Sequence, residues 1–369
     1  SYYNADNELT LSVNAEGEAT SFQYDANGNV VAATRHAQRL TMPVNPAVKP
    51  TPTADARDQV SRMAYDKLNR LAQRTDGEGF VTRFGYDAVG NLTSTTQFLD
   101  LAQSRSEVTR TWYDAIDRAV AQLSAEGYLT NLAYDAVGNL TGRTQRGERY
   151  ATPAAGAPVA TAADVGVTTR FTYDAMNRLV RETDALGTHF DTVWSARSER
   201  IASIRAAGTA DERRTAYVYD TAGRLTNEIN ANGVVTRLDL DPDGQVIARH
   251  EAFGTADART TRFQYDAIHR LVRQTAADGV VTAMSYDATG NLRSRSLGEG
   301  LIGVRTEAFE YDRNNRLAAR ISPLGERTAY AYDATGNRAQ ITDALGRVSD
   351  YAFERNNRPV TETAPAVPG

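Results

Sequence analysis

A carboxylate follows an aromatic ring again and again along this chain. Intact Tyr-Asp pairs begin at Tyr24, Tyr65, Tyr86, Tyr113, Tyr134, Tyr173, Tyr219, Tyr265, Tyr286, Tyr311 and Tyr332. Paired carboxylates do general acid–base work and cleave glycosides, so the repeated Asp is the first candidate for chemistry. Its multiplicity argues against that role, because a reaction needs one pair and these acids stand at every unit. Asp25-Ala26-Asn27-Gly28-Asn29 opens like a calcium loop but lacks the later Gly and Glu of an EF-hand. A hydrogen-bonded turn is the expected role. Asp241 and Asp243 fall on the same repeat grid. His36, His189, His250 and His269 have no metal-ligand spacing. His269 replaces the Asn or Gly of the turn and is expected at an exposed corner. The chain has no cysteine, no Gly-x-Ser-x-Gly and no phosphate or nucleotide fingerprint. No catalytic, cofactor-binding or metal-ligating residue is therefore expected, and no enzyme activity.

The elements that carry these residues follow from their spacing. Four degenerate copies, at Tyr3-Asn4, Trp194-Ser195, Leu240-Asp241 and Phe353-Glu354, bring the total to fifteen units. A fixed 21-residue step alternates with a longer, variable one until the last pair. Units opening the short step tend to read Asn-Arg, as in YDKLNRL; units opening the long step tend to read Gly-Asn, as in YDAVGNL. Two residues before the key aromatic, 12 of 14 units are apolar, and four before, 12 of 14 are Thr or Ser. Residues two apart on a strand share a face, so Thr-x-Phe-x-Tyr is a half-buried strand.

Glycine marks the turns. Each of the eight 21-residue steps has Gly fourteen residues after its aromatic: Gly17, Gly79, Gly127, Gly187, Gly233, Gly279, Gly325 and Gly346. Gly there supplies a positive φ between two strands. Asn232-Gly233 and Asp278-Gly279 are strong hairpin turns. The Tyr-Asp segment is the second turn, a corner with its Tyr facing inward. A Pro-rich insertion at 42–55 and an Ala/Pro/Gly-rich one at 150–164 are loops. These and shorter tips should project from one edge of the sheet. The tail 359–369 is expected to be flexible.

The expected fold is all-β, a single continuous array over 1–369 of about 15 units, built as consecutive antiparallel hairpins. Roughly 30 strands at ~4.8 Å give a ribbon on the order of 140 Å wide. Open sheets rarely exceed ~10 strands without curling, so the ribbon should wind with its ring face inside. Rows of Tyr and Trp can stack on sugars, but rings on the inner face are expected to pack. Net charge is −5, which disfavours nucleic acid as a partner. Lys49 and Lys67 are the only lysines; the Arg bias reflects either a GC-rich genome or the bidentate pairing and ring stacking that Arg performs. No apolar run approaches the ~20 residues of a membrane span. The start SYYNADNELT has neither the basic nor the apolar region of a signal peptide and reads as the interior of a larger array.

The Tyr-Asp-x-x-Gly-Asn/Arg-Leu core, with Thr and Gly at set distances, resembles the YD/RHS repeats. These occur in bacterial rearrangement-hotspot proteins, toxin-complex shell subunits, wall-associated proteins and teneurins. The resemblance runs from Tyr3 to about Arg358. It implies a spiralling β-sheet shell or barrel, of which this chain is a fragment, that encapsulates or presents a toxin or effector. The implied partners are a cargo polypeptide or neighbouring shell segments, and the implied location is secreted or at the bacterial cell surface. The self-cleaving core that ends such shells is absent from this sequence, so that activity is not carried over. The rival expectation is a cell-surface module or filament that binds glycans or proteins through loops 42–55 and 150–164. Exposed edge strands would favour self-association.

Overall fold

The structure, a computed structural model, describes every residue except 152, 154, 155 and 365–369. Thirty strands, from β1 (Tyr2–Tyr3) to β30 (Pro359–Thr363), form one open antiparallel sheet. No helix occurs among the described residues. The strands gather into two compact units. One comprises 1–108, 284–296 and 305–369; the other comprises 109–283 and 297–304.

Both ends of a hairpin are made the same way. Between β2 (Leu9–Val13) and β3 (Ala19–Tyr24), Asn14 N donates to Glu18 O at 3.0 Å and Gly17 N to Asn14 O at 3.1 Å. Between β3 and β4 (Val30–Arg35), Asp25 N donates to Asn29 O at 2.9 Å and Gly28 N to Asp25 O at 3.1 Å. Each is a turn closed by one left-handed residue and a bulge. All eight turn glycines have positive φ, from 76° to 92°. The fourth residue after each unit aromatic is left-handed too, even where it is Asp117, Ser198 or His269, at 62°, 64° and 67°. An L-residue there costs about 1–2 kcal/mol, which the bonds closing the corner offset.

Side chains alternate as the Thr-x-Phe-x-Tyr pattern requires. In β13 (Val167–Tyr173), Thr169, Phe171 and Tyr173 are half-buried while Arg170 and Thr172 are exposed. The ring face is only half-covered, however. Leu11 and Leu129 are the large side chains that are fully buried among the described residues. The chain exposes 22665 Å², where a compact protein of this mass is expected to expose about 14,500 Å². A sheet one layer thick leaves both of its faces short of partners.

The small cores lie under the long loops. In the first unit, Leu40 and Val13 pack on Tyr2, Leu11 and Ala19. In the second, Tyr150, Trp112 and Ala157 pack on Ala121, Leu123 and Leu129. Both loops leave from the Gly-turn edge, as expected. They do not simply project. Leu40 N donates to Gly17 O, and Tyr150 N to Gly127 O, each at 2.8 Å, and Tyr2 Oη donates to Asn45 O at 2.8 Å. The loops fold back because each carries apolar residues that cover its own hairpin. The expected flexible tail is also corrected in part. Pro359–Thr363 forms β30 on β29 (Val348–Phe353), with Phe353 opposite Pro359; 365–369 lie outside the described residues.

Candidate functional site

The repeated Asp is consumed by its own corner. Asp25 Oδ1 accepts the backbone N–H groups of Asn27 and Asn29, each at 2.9 Å, and Oδ2 accepts Asn29 Nδ2 at 3.0 Å. Where Arg replaces the Asn, Asp66 Oδ2 accepts Arg70 Nε at 2.7 Å. These bonds favour the carboxylate. The Asn29 side-chain amide holds Asp25 below its ordinary range, and the Arg70 backbone N–H does so for Asp66 against partial burial. The Thr289 hydroxyl brings Asp287 down to about 2. A carboxylate so engaged has little proton affinity left for general acid–base work.

Each corner also grips the next, and here the two unit types part. Arg70 Nη1 donates to Asp87 O at 2.9 Å, and its guanidinium lies 4.7 Å from the Tyr86 ring centre. Arg118 does the same to Asp135 O at 3.0 Å and Tyr134 at 4.7 Å, and Arg178 to Ser195 O at 2.9 Å and Trp194 at 5.7 Å. Gly-Asn units reach forward by amide instead. Asn139 Nδ2 donates to Asn177 Oδ1 at 2.9 Å, and Asn337 Nδ2 to Asn357 Oδ1 at 2.8 Å. The ring grips backward: Tyr134 Oη donates to Ala119 O at 2.9 Å and Tyr332 Oη to Leu317 O at 3.0 Å. Trp194 Nε1 keeps that bond, to Leu179 O at 2.9 Å. So the Arg/Asn alternation is a splice code between neighbouring corners.

In the first unit the chain returns on itself. Glu18, largely buried, accepts Arg39 Nη2 at 2.9 Å, Arg316 Nη1 at 2.9 Å and Asn314 Nδ2 at 3.2 Å. Arg313 N donates to Glu16 Oε1 at 2.9 Å, and Arg39 Nη2 to Tyr332 O at 2.9 Å. A second copy of this contact pairs Asp76 Oδ2 with Asn356 Nδ2 at 2.8 Å and Glu78 with Arg355 N. Gly-turns from the first strands thus seat on corners nearly 300 residues later. A polar cleft of about 640 Å³ lies beside this seam, lined by Arg35, Gln59, Ser61, Arg74, Thr82 and Arg355 among others.

Two hydroxyl–histidine–carboxylate arrangements escaped sequence reasoning. Ser21 Oγ lies 2.9 Å from His36 Nε2, and His36 Nδ1 lies 3.4 Å from Asp58 Oδ2. The order is that of a nucleophile, base and acid. But His36 and Asp58 are buried, His36 Nδ1 makes no aligned hydrogen bond, and Asp58 is taken by the backbone N–H of Ala37 at 2.8 Å and of Asp55 at 3.2 Å. The group closes the base of the 42–55 loop. His250 bridges Asp239 Oδ2 at 2.9 Å and Thr260 Oγ1 at 3.0 Å, and its hydrogen bond is the main cause holding Asp239 below its usual range. His189 Nδ1 meets Thr183 Oγ1 at 3.0 Å. His269 sits at an exposed corner, as its position predicts, 2.8 Å from Gln245 Nε2. Asp241 is an ordinary corner whose carboxylate accepts Gln245 N at 2.8 Å; Asp243 is exposed in the same turn. Among the described residues no three His, Asp or Glu converge to hold a metal. Among the described residues no helix is long and apolar enough to cross a membrane.

The RHS repeat family profile matches residues 3–39, 55–99, 154–189, 219–256, 241–281, 265–302, 311–348 and 332–366. A search of curated proteins finds no match. Among solved structures, the TcdB2–TccC3 crystal structure is similar at a TM-score of 0.64 and 14% identity over 95% of this chain. The Photorhabdus luminescens Tc holotoxin pore with a TccC3 D651A mutation matches at 0.62 and 13% over 94%. At that identity the likeness concerns the fold. This chain spans about a fifth of the length of those chains, 20% and 22%.

Proposed function

The chain belongs to the RHS repeat family, and from that premise we propose that it is a wall segment of a larger β-sheet shell that encapsulates or presents a toxin or effector polypeptide. The wall is one continuous array of about 15 units, secreted or displayed on a bacterial surface, without catalysis of its own. One observation carries this reading: a single-layer sheet whose ring-bearing face stays half-covered and whose exposed surface is 22665 Å². A surface of that kind suits a wall that borders a guest chain or the next layer of wall. The return of the chain in the first unit supports a sheet that curves. Similarity of fold to the TcdB2–TccC3 structures supports the same reading.

The rival reading, surface recognition of glycans or proteins by the loops at 42–55 and 150–164, is less well supported. Tyr2 and Leu40 hold the first loop down. Tyr150 Oη donates to Asp164 Oδ2 at 2.7 Å in the second. Small-angle scattering separates the two. A wall gives a radius of gyration well above the ~21 Å of a compact 369-residue domain, with a distance distribution typical of a curved, open body. A compact radius, or the profile of a thin rod, overturns the shell.

A further inference from the structure

The polar cleft beside the seam is rich in cations and short of anions. Its floor is the ring face of the sheet. Across β3, β4 and β5 (Gln59–Tyr65), Thr20 lies opposite Arg35 and Arg35 opposite Gln59. Across β5, β6 (Leu71–Thr75) and β7 (Val81–Tyr86), Arg74 lies opposite Met63 and Thr82. Met63 stands two residues before Tyr65, and Ala33, two before Arg35, faces Phe22. Both arginines therefore share the side that carries the rings. The Asp76 turn and the Arg355-Asn356 corner form the end of the cleft.

Other arginines of this unit come with counter-ions. Arg320, opposite Phe309 on the ring face, shares Glu307 with Arg295. Arg316 is held by Asp312 and Glu18. Arg35 Nη2 lies close by, the two heads being 3.6 and 3.7 Å from where a Cβ on Gly336 would stand. Yet among the described residues neither Arg35 nor Arg74 has an ion pair or a guanidinium hydrogen bond. Arg355 comes no nearer than 3.6 Å to Glu78. The carboxylate lining the cleft, Asp76, is already spent. It accepts the backbone N–H groups of Glu78 and Phe80 at 3.0 and 2.9 Å and Asn356 Nδ2 at 2.8 Å. This cationic cleft sits in a chain whose net charge is −5. Guanidinium groups without partners suit carboxylates, which they bind in a bidentate manner.

Spacing narrows the ligand. Arg35 and Arg74 are two strands apart and offset by four residues along β5, so their Cα atoms are roughly 17 Å apart. That is wide for one small anion and suits an extended chain with repeated charges. In an extended peptide, residues four apart share a side and lie roughly 14 Å apart. Ser61 and Thr82 add hydroxyls that can meet its backbone. A sugar chain would find one ring to stack on, Phe80.

We propose that this cleft binds an acidic stretch of polypeptide, with Asp or Glu side chains about four residues apart paired to Arg35 and Arg74. Naming that stretch as part of the guest rests on the shell reading; the binding itself does not.

Fluorescence anisotropy on the full chain tests this with two labelled peptides, one alternating Glu and Ser, the other Lys and Ser. The acidic peptide should bind at least ~10-fold more tightly than the basic one, and its affinity should fall as salt rises. R35S/R74S should weaken it about 10-fold, the loss of two exposed ion pairs. R62S/R83S removes the same charge from the opposite face of β5 and β7 and should bind like wild type. The far-ultraviolet β spectrum of each variant checks folding. Equal binding of the two peptides by the wild-type chain overturns the proposal, and so do equal affinities of the two double variants. An oligogalacturonate that displaces the acidic peptide at a lower concentration of charge than unlabelled acidic peptide does overturns the assignment to polypeptide. Failure of the shell reading shows separately, in the scattering radius, which does not depend on the cleft.

Discussion

The corner hydroxyls give the sharpest quantitative expectation. Tyr24, Tyr86, Tyr134 and Tyr332 donate to Leu9, Leu71, Ala119 and Leu317 carbonyls at 2.9, 3.0, 2.9 and 3.0 Å. Replacing each by Phe deletes the hydroxyl and leaves the ring, so the Arg70, Arg118 and Arg316 stacking on three of them persists. A neutral hydrogen bond of this kind contributes about 1 kcal/mol net. No two of the four share a partner, and successive sites are at least four strands apart, roughly 19 Å along the sheet, so the losses should add. The quadruple variant should be about 4 kcal/mol less stable than the parent, and each single variant about 1 kcal/mol. Equilibrium urea unfolding measures this through the shift in midpoint. Tyr3→Phe, at a largely exposed ring, is the control and should leave the midpoint unchanged. A quadruple variant as stable as the parent would refute the idea that the ring hydroxyls tie each corner to the one before it.

Three further expectations follow from named contacts. The corner carboxylates of Asp25, Asp66 and Asp287 have lowered folded pKa values, so their contribution is present above the unfolded value near 3.8 and is lost as pH falls toward the folded value. For Asp287 that window runs from 3.8 down to about 2, and an acid titration followed by circular dichroism should lose part of its steepness there in D287N. Glu18→Ala removes one partner each from Arg39 and Arg316, which keep the Tyr332 carbonyl and Asp312, and should cost about 1–3 kcal/mol, read by urea unfolding; an unchanged midpoint would place Glu18 outside the structure's support. Asp58→Ala frees the Ala37 and Asp55 backbone N–H groups, so brief trypsin treatment should cut at Arg39 or Arg57 in the variant well before the parent; equal rates would contradict the loop-closing role.

What was legible in the sequence was local. The eight glycines, the Thr-x-Phe-x-Tyr alternation and the Tyr-Asp corners each encode their geometry within a few residues, and the thirty strands follow from them. His269 could be placed at a corner because it occupies a left-handed position in a repeating frame. The Glu18 seam was not legible, since partners nearly 300 residues apart meet only through accumulated curvature. Its signal was present nonetheless: Arg-Asn-Asn occurs at the two corners that dock, Arg313-Asn314-Asn315 and Arg355-Asn356-Asn357, opposite Glu16 and Glu78. Loop closure by Asp58 and Asp164 was hidden too, because an Asp in a polar stretch reads as solvated until its backbone partners are known.

The most direct test is one distance. Spin labels at Ala15→Cys and Arg313→Cys, measured by pulsed dipolar spectroscopy, probe the return of the chain in the first unit. The contact of Arg313 N with Glu16 at 2.9 Å requires a distance at the short limit of the method. A flat ribbon would separate the same positions by about 23 strands, on the order of 110 Å, and a signal of that length would contradict the curved sheet.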